Sequence, residues 1–232
     1  MSNPETSVVT SRVWHGRTAL ASLIILALGV TVGIEGVGVL GAFVIAIVVA
    51  VVARKHGSFR DMGFRAPESW VRMLGTTALY GIVIQLLFLM LIEPLLERLT
   101  GSPVDISSFD GVRGDVTNFL ILLGIGWGIG GFLEEFTFRG FIVGRVRWLL
   151  GSGAAATWGA VLVAAIPFGL AHAYQGASGM ISTGLTGLLL GAIYVLHRFN
   201  LWYAIFTHGF INTVGIITLY LDVDRAMNRW LF

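Results

Sequence analysis

Residues 118–139 read NFLILLGIGWGIGGFLEEFTFR, and this stretch decides the class of the protein. It is long and apolar enough to cross a bilayer core, which needs about 20 helical residues. Glu134, Glu135 and Arg139 nevertheless stand at its end. A charged side chain at bilayer depth costs roughly 2.5–3.5 kcal/mol on insertion scales, so charges there usually serve a function. The stretch therefore predicts a membrane helix that carries functional residues.

The composition of the whole chain agrees with this interpretation. The 232 residues are 56% hydrophobic and only 12% charged, with a mean hydropathy of +0.83, whereas soluble domains carry about 25% charged residues. We therefore predict an all-α fold, a polytopic integral membrane helical bundle. The absence of cysteine excludes disulfides, thiolate metal sites and a cysteine nucleophile. The expected partners are the lipid bilayer and a membrane protein or peptide substrate, not nucleic acid, and no pattern indicates an oligomeric state.

Seven apolar stretches are long enough to cross the membrane, and one further break would make eight. They lie at 18–34, 37–53, 73–92, 118–138, 154–172, 178–196 and 201–220. The polar segment 93–117, which follows the third stretch and contains Pro94, is the best place for an eighth span. The predicted organisation is a cytoplasmic N-terminal tail at 1–17, N-terminal membrane helices and loops at 18–117, a catalytic core at 118–220 and a C-terminal tail at 221–232.

The basic residues are distributed unevenly between the two sides of this seven-span arrangement. One side holds Arg12, Arg17, Arg54, Lys55, Arg60, Arg65, Arg72, Arg145, Arg147 and Arg198. Cytoplasmic loops are enriched in Lys and Arg, so this side is predicted to be cytoplasmic. The chain is then a multi-pass protein of the cell membrane with its N-terminus inside. The Arg145–Arg147 pair also predicts that the Glu134 end of the fourth span, and hence the site, faces the cytoplasm.

Glycine pairs at four-residue spacing recur within the predicted spans. Such pairs allow the backbones of membrane helices to approach closely, so they predict helix packing rather than a ligand site. The pairs are Gly126/Gly130, Gly140/Gly144 and Gly187/Gly191.

The three charges of the fourth span have different roles on a helix. Glu135 and Arg139 are four residues apart, so they share a face and can form an ion pair. Glu134 lies about 100° around the helix from Glu135, because an α-helix has 3.6 residues per turn. The spacing therefore predicts that Arg139 neutralises Glu135 and that Glu134 is left for another partner.

Two further polar sites lie in other predicted spans. Phe168 and His172 share a face at the end of the fifth span, and His208 and Asn212 share a face inside the seventh. Pro167 cannot donate to the preceding turn, so the helix should kink just before His172. Together with Glu134, these residues predict one convergent site.

Such a set of side chains supports three kinds of chemistry. A carboxylate in a low-dielectric pocket can act as a general base that activates water, while an amide and an imidazole donate to an oxyanion. Glu134, His172 and His208 could alternatively bind zinc with one position open. Haem ligation by His172 and His208 is the third possibility.

A family resemblance favours the first of these. The motifs Glu134-Glu135-x-x-x-Arg139, Phe168-x-x-x-His172 and His208-x-x-x-Asn212, in this order, resemble those of the CPBP family of intramembrane glutamic endopeptidases. This family comprises CAAX prenyl proteases and bacteriocin-processing enzymes, and is also called the Rce1 or Abi family. Residues 61–67, DMGFRAP, resemble a stretch that precedes the core in bacterial members.

The resemblance implies a role for each matched residue. Glu134 would activate water without a metal or other cofactor, and His172 would help to position that water. His208 and Asn212 would form the oxyanion hole, and Glu135, Arg139 and Phe168 would support the site. The implied activity is hydrolysis of peptide bonds in membrane-associated or CAAX-like substrates. The resemblance also implies two further functions, a metalloendopeptidase-like activity and a role in bacteriocin self-immunity. A zinc metalloprotease, and a non-enzymatic haem-binding protein or interaction module, remain alternatives.

Overall fold

The computed structural model describes residues 62–151 and 153–229, together with the isolated positions 16, 17, 21, 47 and 51. In this part of the chain all regular structure is helical. The six main helices are α1 (Trp70–Thr100), α2 (Val116–Leu150), α3 (Ala154–Leu170), α4 (Gly176–Leu196), α5 (Leu201–Tyr220) and α6 (Asp224–Arg229). The predicted spans at 18–34 and 37–53 lie outside the described residues.

The apolar character of these helices supports a helical membrane protein. Four helical stretches of the described chain are long and apolar enough to cross a membrane, namely α1, α2, α5, and α4 with the 3₁₀ turn Ala173–Gln175 that precedes it. Helix α3 is apolar but shorter. The all-helical prediction is confirmed for this part of the chain, whereas the total of seven to eight spans stays a prediction.

Helix α1 begins at a capped end and continues beyond its predicted limit. The Ser69 hydroxyl accepts a hydrogen bond from the Arg72 amide at 3.3 Å, as an N-cap residue does. The helix was predicted to stop at residue 92, but it continues through Pro94 to Thr100. Proline is tolerated here because a π-helical segment, Phe88–Ile92, ends just before it and Pro94 occupies the first turn of the next α-helical segment.

The predicted eighth span at 93–117 is therefore wrong. After α1 ends at Gly101, whose positive φ of 79° suits glycine, the chain forms only a short 3₁₀ helix, Ser107–Val112, before α2 begins. The Asp115 carboxylate caps α2 by accepting from the Asn118 amide at 2.9 Å.

Helix α2 is longer than predicted, which changes the depth of the Glu-Glu motif. The sequence predicted its end at residue 138, but the helix continues to Leu150. Phe141, Ile142 and Val143 are buried in the main hydrophobic core, so their packing maintains the helix past the charged motif. Glu134 consequently lies near the middle of α2, and Arg145 and Arg147 lie on the helix rather than in a loop.

Small residues allow the helices to pack closely, as predicted. A β-carbon added to Gly187 would lie 2.9 Å from the Phe168 ring, and one added to Gly191 would lie 2.5 Å from Val161, so α3 and α4 require glycine at both positions. Close packing is confirmed for Gly140, Gly187 and Gly191. Gly126 and Gly130 also approach α5 closely, but they line a cavity and so do not serve packing alone, and a β-carbon added to Gly144 would meet no atom.

The loops gather at two ends of the bundle. At the basic end, which contains 62–72, 145–153 and 197–201, the Tyr194 hydroxyl donates to the Met62 carbonyl at 3.1 Å and the Leu201 amide to the Gly63 carbonyl at 2.9 Å. At the acidic end, which contains 97–115, 172–178 and 220–225, the Asp105 amide donates to the Gln175 carbonyl at 3.0 Å. The basic end carries Arg65, Arg72, Arg145, Arg147 and Arg198 with one acid, Glu68, whereas the acidic end carries six acids, Glu97, Asp105, Asp110, Asp115, Asp222 and Asp224, with three arginines, Arg98, Arg113 and Arg225.

Candidate active site

The four predicted catalytic side chains lie in one cavity. Glu134 comes from α2, His172 from the turn after α3, and His208 and Asn212 from α5, and all four line a cavity of about 330 Å³. The structure thus brings together the residues that the sequence predicted would converge. Their chemical roles stay predictions.

The two adjacent glutamates have different surroundings, as the helix geometry predicted. Glu135 is fully buried and accepts a hydrogen bond from Arg139 Nη1 at 2.7 Å, so the predicted ion pair is confirmed. Glu134 is only half-buried and makes no hydrogen bond or ion pair within the described part of the chain. Glu134 is therefore the carboxylate that remains open to a ligand in the cavity.

The buried ion pair has two further contacts that spacing did not predict. His208 Nδ1 lies 2.8 Å from the same Glu135 oxygen, and Arg139 Nη2 donates to the Gly187 carbonyl at 3.0 Å. A carboxylate only accepts, so His208 Nδ1 carries the proton of this bond. Glu135 thereby connects Arg139 to His208 and fixes the orientation of the imidazole ring.

The helix around these residues is not the regular α-helix that the spacing argument assumed. Gly126–Glu134 and Phe136–Val143 are π-helical, with Glu135 between them. Such segments are rare, and they are frequent at functional sites. The predicted Glu135–Arg139 contact survives because residues four apart still share a face in this wider helix.

Phe168 packs against three members of the site. Its buried ring lies 4.3 Å from the Arg139 guanidinium carbon, and the ring centres of His172 and His208 lie 5.3 and 6.0 Å away. A guanidinium over an aromatic face is stabilised by the ring's charge distribution. This position is consistent with the predicted supporting role of Phe168.

His172 is held by the end of α3. The sequence predicted a kink before His172, whereas the helix ends at Leu170 and His172 lies in the turn that follows. Its Nδ1 donates to the Phe168 carbonyl at 2.9 Å, so in the neutral ring Nε2 has a lone pair and no proton. His172 can therefore accept a hydrogen bond from a water molecule in the cavity.

Asn212 is oriented by the glycines of α2. Its Nδ2 donates to the Gly126 carbonyl at 2.8 Å, which uses one of the two N–H bonds of the amide. A β-carbon on Gly130 would lie 2.5 Å from Asn212 Nδ2 and 3.5 Å from His208 Nε2. Glycine at position 130 thus leaves the space beside both polar groups open.

The comparison with known families concerns this same region. Residues 116–214 match the family model described as type II CAAX prenyl endopeptidase Rce1-like. This segment is an Rce1-like domain. The predicted family is therefore confirmed for a segment that makes up a little under half of the chain. Among curated proteins and solved structures nothing matches.

The Rce1-like domain supports a hydrolase of the CAAX-protease type that works in a membrane environment. It contains all four candidate catalytic residues, and its limits are close to the core predicted at 118–220. The match gives no support to a metalloendopeptidase activity or to a role in bacteriocin self-immunity.

The donor set predicted for zinc is not assembled. Within the described residues, no three His, Cys, Asp or Glu side chains come close enough together to hold a metal ion, and this includes Glu134, His172 and His208.

Sequence reasoning missed Glu93 as a member of this cavity. Glu93 belongs to none of the three motifs, but its side chain lines the cavity together with Glu134. Its only described partner is the Ser182 hydroxyl, 3.5 Å away. The sequence feature that could have identified Glu93 is a carboxylate that directly follows an apolar run, in a helix that continues through Pro94.

The cavity extends to the acidic end of the domain. Its walls include Ile106, Phe109, Tyr174, Gln175 and Asp224, and no residue of the basic end lines it. The prediction placed the site beside the Arg145–Arg147 pair because it ended α2 too early. Two predictions are therefore incompatible in this fold: that the basic end faces the cytoplasm, and that the cavity opens to the cytoplasm.

Proposed function

We propose that the chain is a multi-pass intramembrane endopeptidase that uses Glu134 as a metal-independent general base. The observation that carries the proposal is that the two adjacent glutamates have different contacts. Glu135 is committed to Arg139 and His208, while Glu134 has no hydrogen-bond or ion-pair partner among the described residues and faces a cavity with His172 and Asn212.

In the proposed mechanism, one water molecule donates its two hydrogens to Glu134 and to His172 Nε2. Both groups are acceptors, because Glu134 is a carboxylate and the Nδ1 of His172 is occupied by the Phe168 carbonyl. Glu134 removes one proton as the water oxygen attacks the carbonyl carbon of the peptide. It then passes that proton to the nitrogen of the leaving group, and the C–N bond breaks to give a carboxylic acid and an amine.

The oxyanion of the tetrahedral intermediate would lie between His208 and Asn212. The second N–H of the Asn212 amide points away from its bond to Gly126, and one such donor contributes about 2.7–4 kcal/mol to transition-state stabilisation. His208 can donate from Nε2 only when its ring carries both protons, since Nδ1 is already used on Glu135. The protonated ring is therefore the active form in this mechanism.

The lining of the cavity bears on the class of substrate. Its walls are mainly apolar and carry the carboxylates of Glu93 and Glu134, while the third carboxylate, Asp224, is ion-paired with Arg113. A free C-terminal carboxylate, as in a CAAX-type tail, would meet like charge there. The charges therefore favour an internal peptide bond in an apolar, membrane-associated segment.

The test of the mechanism is cleavage of a membrane-associated peptide by the purified chain. Glu134→Gln and His172→Ala should each abolish turnover, whereas Glu97→Gln, an exposed glutamate on α1, should not change it. Turnover that survives both active-site changes would refute the proposal. Loss of activity on chelation together with stoichiometric zinc would favour the metalloprotease instead, and a Soret absorption band would favour a haem protein.

The substrate class and the orientation need separate tests. Peptides that end in a free carboxylate or in an amide should differ in KM, with the amide bound more tightly. For orientation, the natural chain has no cysteine, so one introduced at the exposed Tyr174 or at the exposed Trp148 is the only thiol. Labelling from each side of sealed vesicles then identifies which end faces the cytoplasm, for which the positive-inside rule favours the basic end.

A further inference from the structure

A second cavity lies at the basic end, away from the candidate active site. It has a volume of about 510 Å³ and is lined by Arg65, Arg145 and Arg147 together with aromatic side chains. No Asp or Glu is among its described lining residues, whereas the active-site cavity contains three carboxylates. The two cavities therefore differ in charge, and this one is suited to an anion.

Two of the arginines are held in place by helix side chains. Arg147 Nε donates to the Thr157 hydroxyl at 2.9 Å, and its guanidinium carbon lies 4.6 Å from the centre of the Phe199 ring. The Arg145 guanidinium lies 5.4 Å from the Phe141 ring. These contacts position two cationic groups on α2 before any ligand binds, which reduces the ordering cost of binding.

The third arginine is positioned by residues 62–67, the described part of the segment DMGFRAP, to which the proposed catalytic mechanism assigns no role. Met62 is buried, and its carbonyl accepts from the Tyr194 hydroxyl at 3.1 Å. Gly63 has a φ of 95°, and its carbonyl accepts from the amides of both Arg65 and Leu201, at 2.8 and 2.9 Å. This turn attaches the segment to α4 and α5 and brings the exposed Arg65 to the wall of the cavity.

Tryptophans lie in and beside the cavity at the basic end. Trp148 lines the cavity and is 43% exposed, and the exposed Trp70 packs edge-on against Trp202 with ring centres 5.7 Å apart. Tryptophan is enriched at the membrane–water interface. Arginine forms bidentate hydrogen bonds with phosphate, and basic pockets between membrane helices bind anionic headgroups.

We propose that this cavity binds a phosphate group, supplied either by an anionic lipid of the surrounding leaflet or by a soluble phosphate. The three arginines provide the hydrogen bonds and charge, and the aromatic walls contact the adjoining glycerol or acyl atoms. The proposal does not depend on the proteolytic function, because no residue of this cavity takes part in the proposed catalysis.

The experiment compares the full chain in nanodiscs of phosphatidylglycerol with the chain in nanodiscs of phosphatidylcholine. We expect a higher melting temperature in phosphatidylglycerol, and native mass spectrometry should detect retained phosphatidylglycerol. Arg65→Gln/Arg145→Gln should remove most of this rise and weaken apparent affinity roughly tenfold or more, since hydrogen bonds to a charged group are lost. Arg72→Gln/Arg198→Gln loses the same charge at the same end but outside the cavity, so it should retain the effect.

The source of the phosphate is decided by a second arm. If inorganic phosphate raises the melting temperature in phosphatidylcholine nanodiscs, and Arg65→Gln/Arg145→Gln abolishes that rise, the ligand is soluble. If only phosphatidylglycerol does so, the ligand is a lipid. Arg65→Gln alone changes one exposed side chain, so it tests the proposal even if the double variant misfolds. Equal responses of the wild type, both cavity variants and the control variant would overturn the proposal.

Discussion

The ion pair between Glu135 and Arg139 should be the most sensitive point of the domain, and Glu135→Gln tests this directly. Glu135 is 0% and Arg139 1% exposed. After the substitution, Arg139 keeps the Gly187 carbonyl and the Phe168 and Phe138 rings as contacts, and the only negative charge that still acts on it among the described residues is that of Glu134, which forms no ion pair with it. Leaving a buried charge uncompensated costs about 3–5 kcal/mol, so we expect the free energy of unfolding to fall by that amount.

The double variant Glu135→Gln/Arg139→Met separates stability from catalysis. It removes both charges together, and replacing a whole buried ion pair by neutral groups of similar volume is often neutral or stabilising. The lost Arg139–Gly187 hydrogen bond contributes about 1 kcal/mol, so the double variant should unfold within about 1–2 kcal/mol of the wild type. Its activity should nevertheless stay at least about tenfold low, a barrier increase of about 1.4 kcal/mol, because His208 still lacks its carboxylate partner.

The assay is unfolding in detergent micelles, followed by intrinsic tryptophan fluorescence, together with peptide cleavage at a temperature where every variant is folded. The exposed Glu97→Gln serves as the charge-matched control and should resemble the wild type in both measurements. The reasoning fails if Glu135→Gln unfolds like the wild type, or if the double variant is as unstable as the single one. Recovery of full activity in the double variant would show instead that Glu135 does not act through His208.

Two further predictions concern the glycines beside the site and the ion cluster at the acidic end. Gly130→Ala should reduce cleavage by an order of magnitude or more, because the new methyl group would displace the Asn212 amide and a 1 Å misplacement near the chemistry can cost about 100-fold. The control is Gly128→Ala, which should leave cleavage unchanged because a β-carbon added there meets no other atom. Burial raises the pKa of Asp224, but the hydrogen bonds and charge of Arg113 outweigh this and hold that pKa below its ordinary value. A depressed pKa means that the stabilisation is complete above the unfolded-state pKa of about 3.9 and is lost as the pH falls through the folded-state value. The protection factors of the amides at 221–229, which correct for the slower intrinsic exchange at low pH, should therefore fall on acidification. Asp224→Asn should remove this dependence and keep protection low throughout; an unchanged acid response in that variant would contradict the assignment.

The parts of this fold that depend on local spacing could be predicted from sequence. Four-residue spacing was enough to pair Glu135 with Arg139, and apolar length was enough to find α5, which carries His208, and α3, whose end positions His172. The ends of α1 and α2 could not be found in the same way. Charges and proline usually end a membrane span, but here packing of residues such as Phe141 maintains α2 beyond the Glu-Glu motif.

Contacts between distant segments carried no local signal. The bond between His208 and Glu135 joins residues that are far apart in the chain, and nothing in either motif indicates which glutamate the histidine contacts. Glu93 was missed for a related reason, since its role depends on where α1 packs against α4 rather than on its neighbours in sequence. The orientation of the cavity followed from the length of α2, so an error of one helix end placed the site at the wrong end of the bundle.

The arrangement of charges explains how hydrolysis can proceed at this depth without creating new charge. Arg139 and a protonated His208 together balance Glu135 and Glu134, so the cluster is neutral in the form that the proposed mechanism requires. When Glu134 takes a proton from water, its negative charge disappears as an equal charge forms on the oxyanion beside His208 and Asn212. The reaction therefore moves one negative charge across the cavity and leaves the total unchanged, which avoids the large penalty for isolating a charge in a medium of low dielectric constant. This balance requires one glutamate to be fixed and the other to be free, and that is how Glu135 and Glu134 differ.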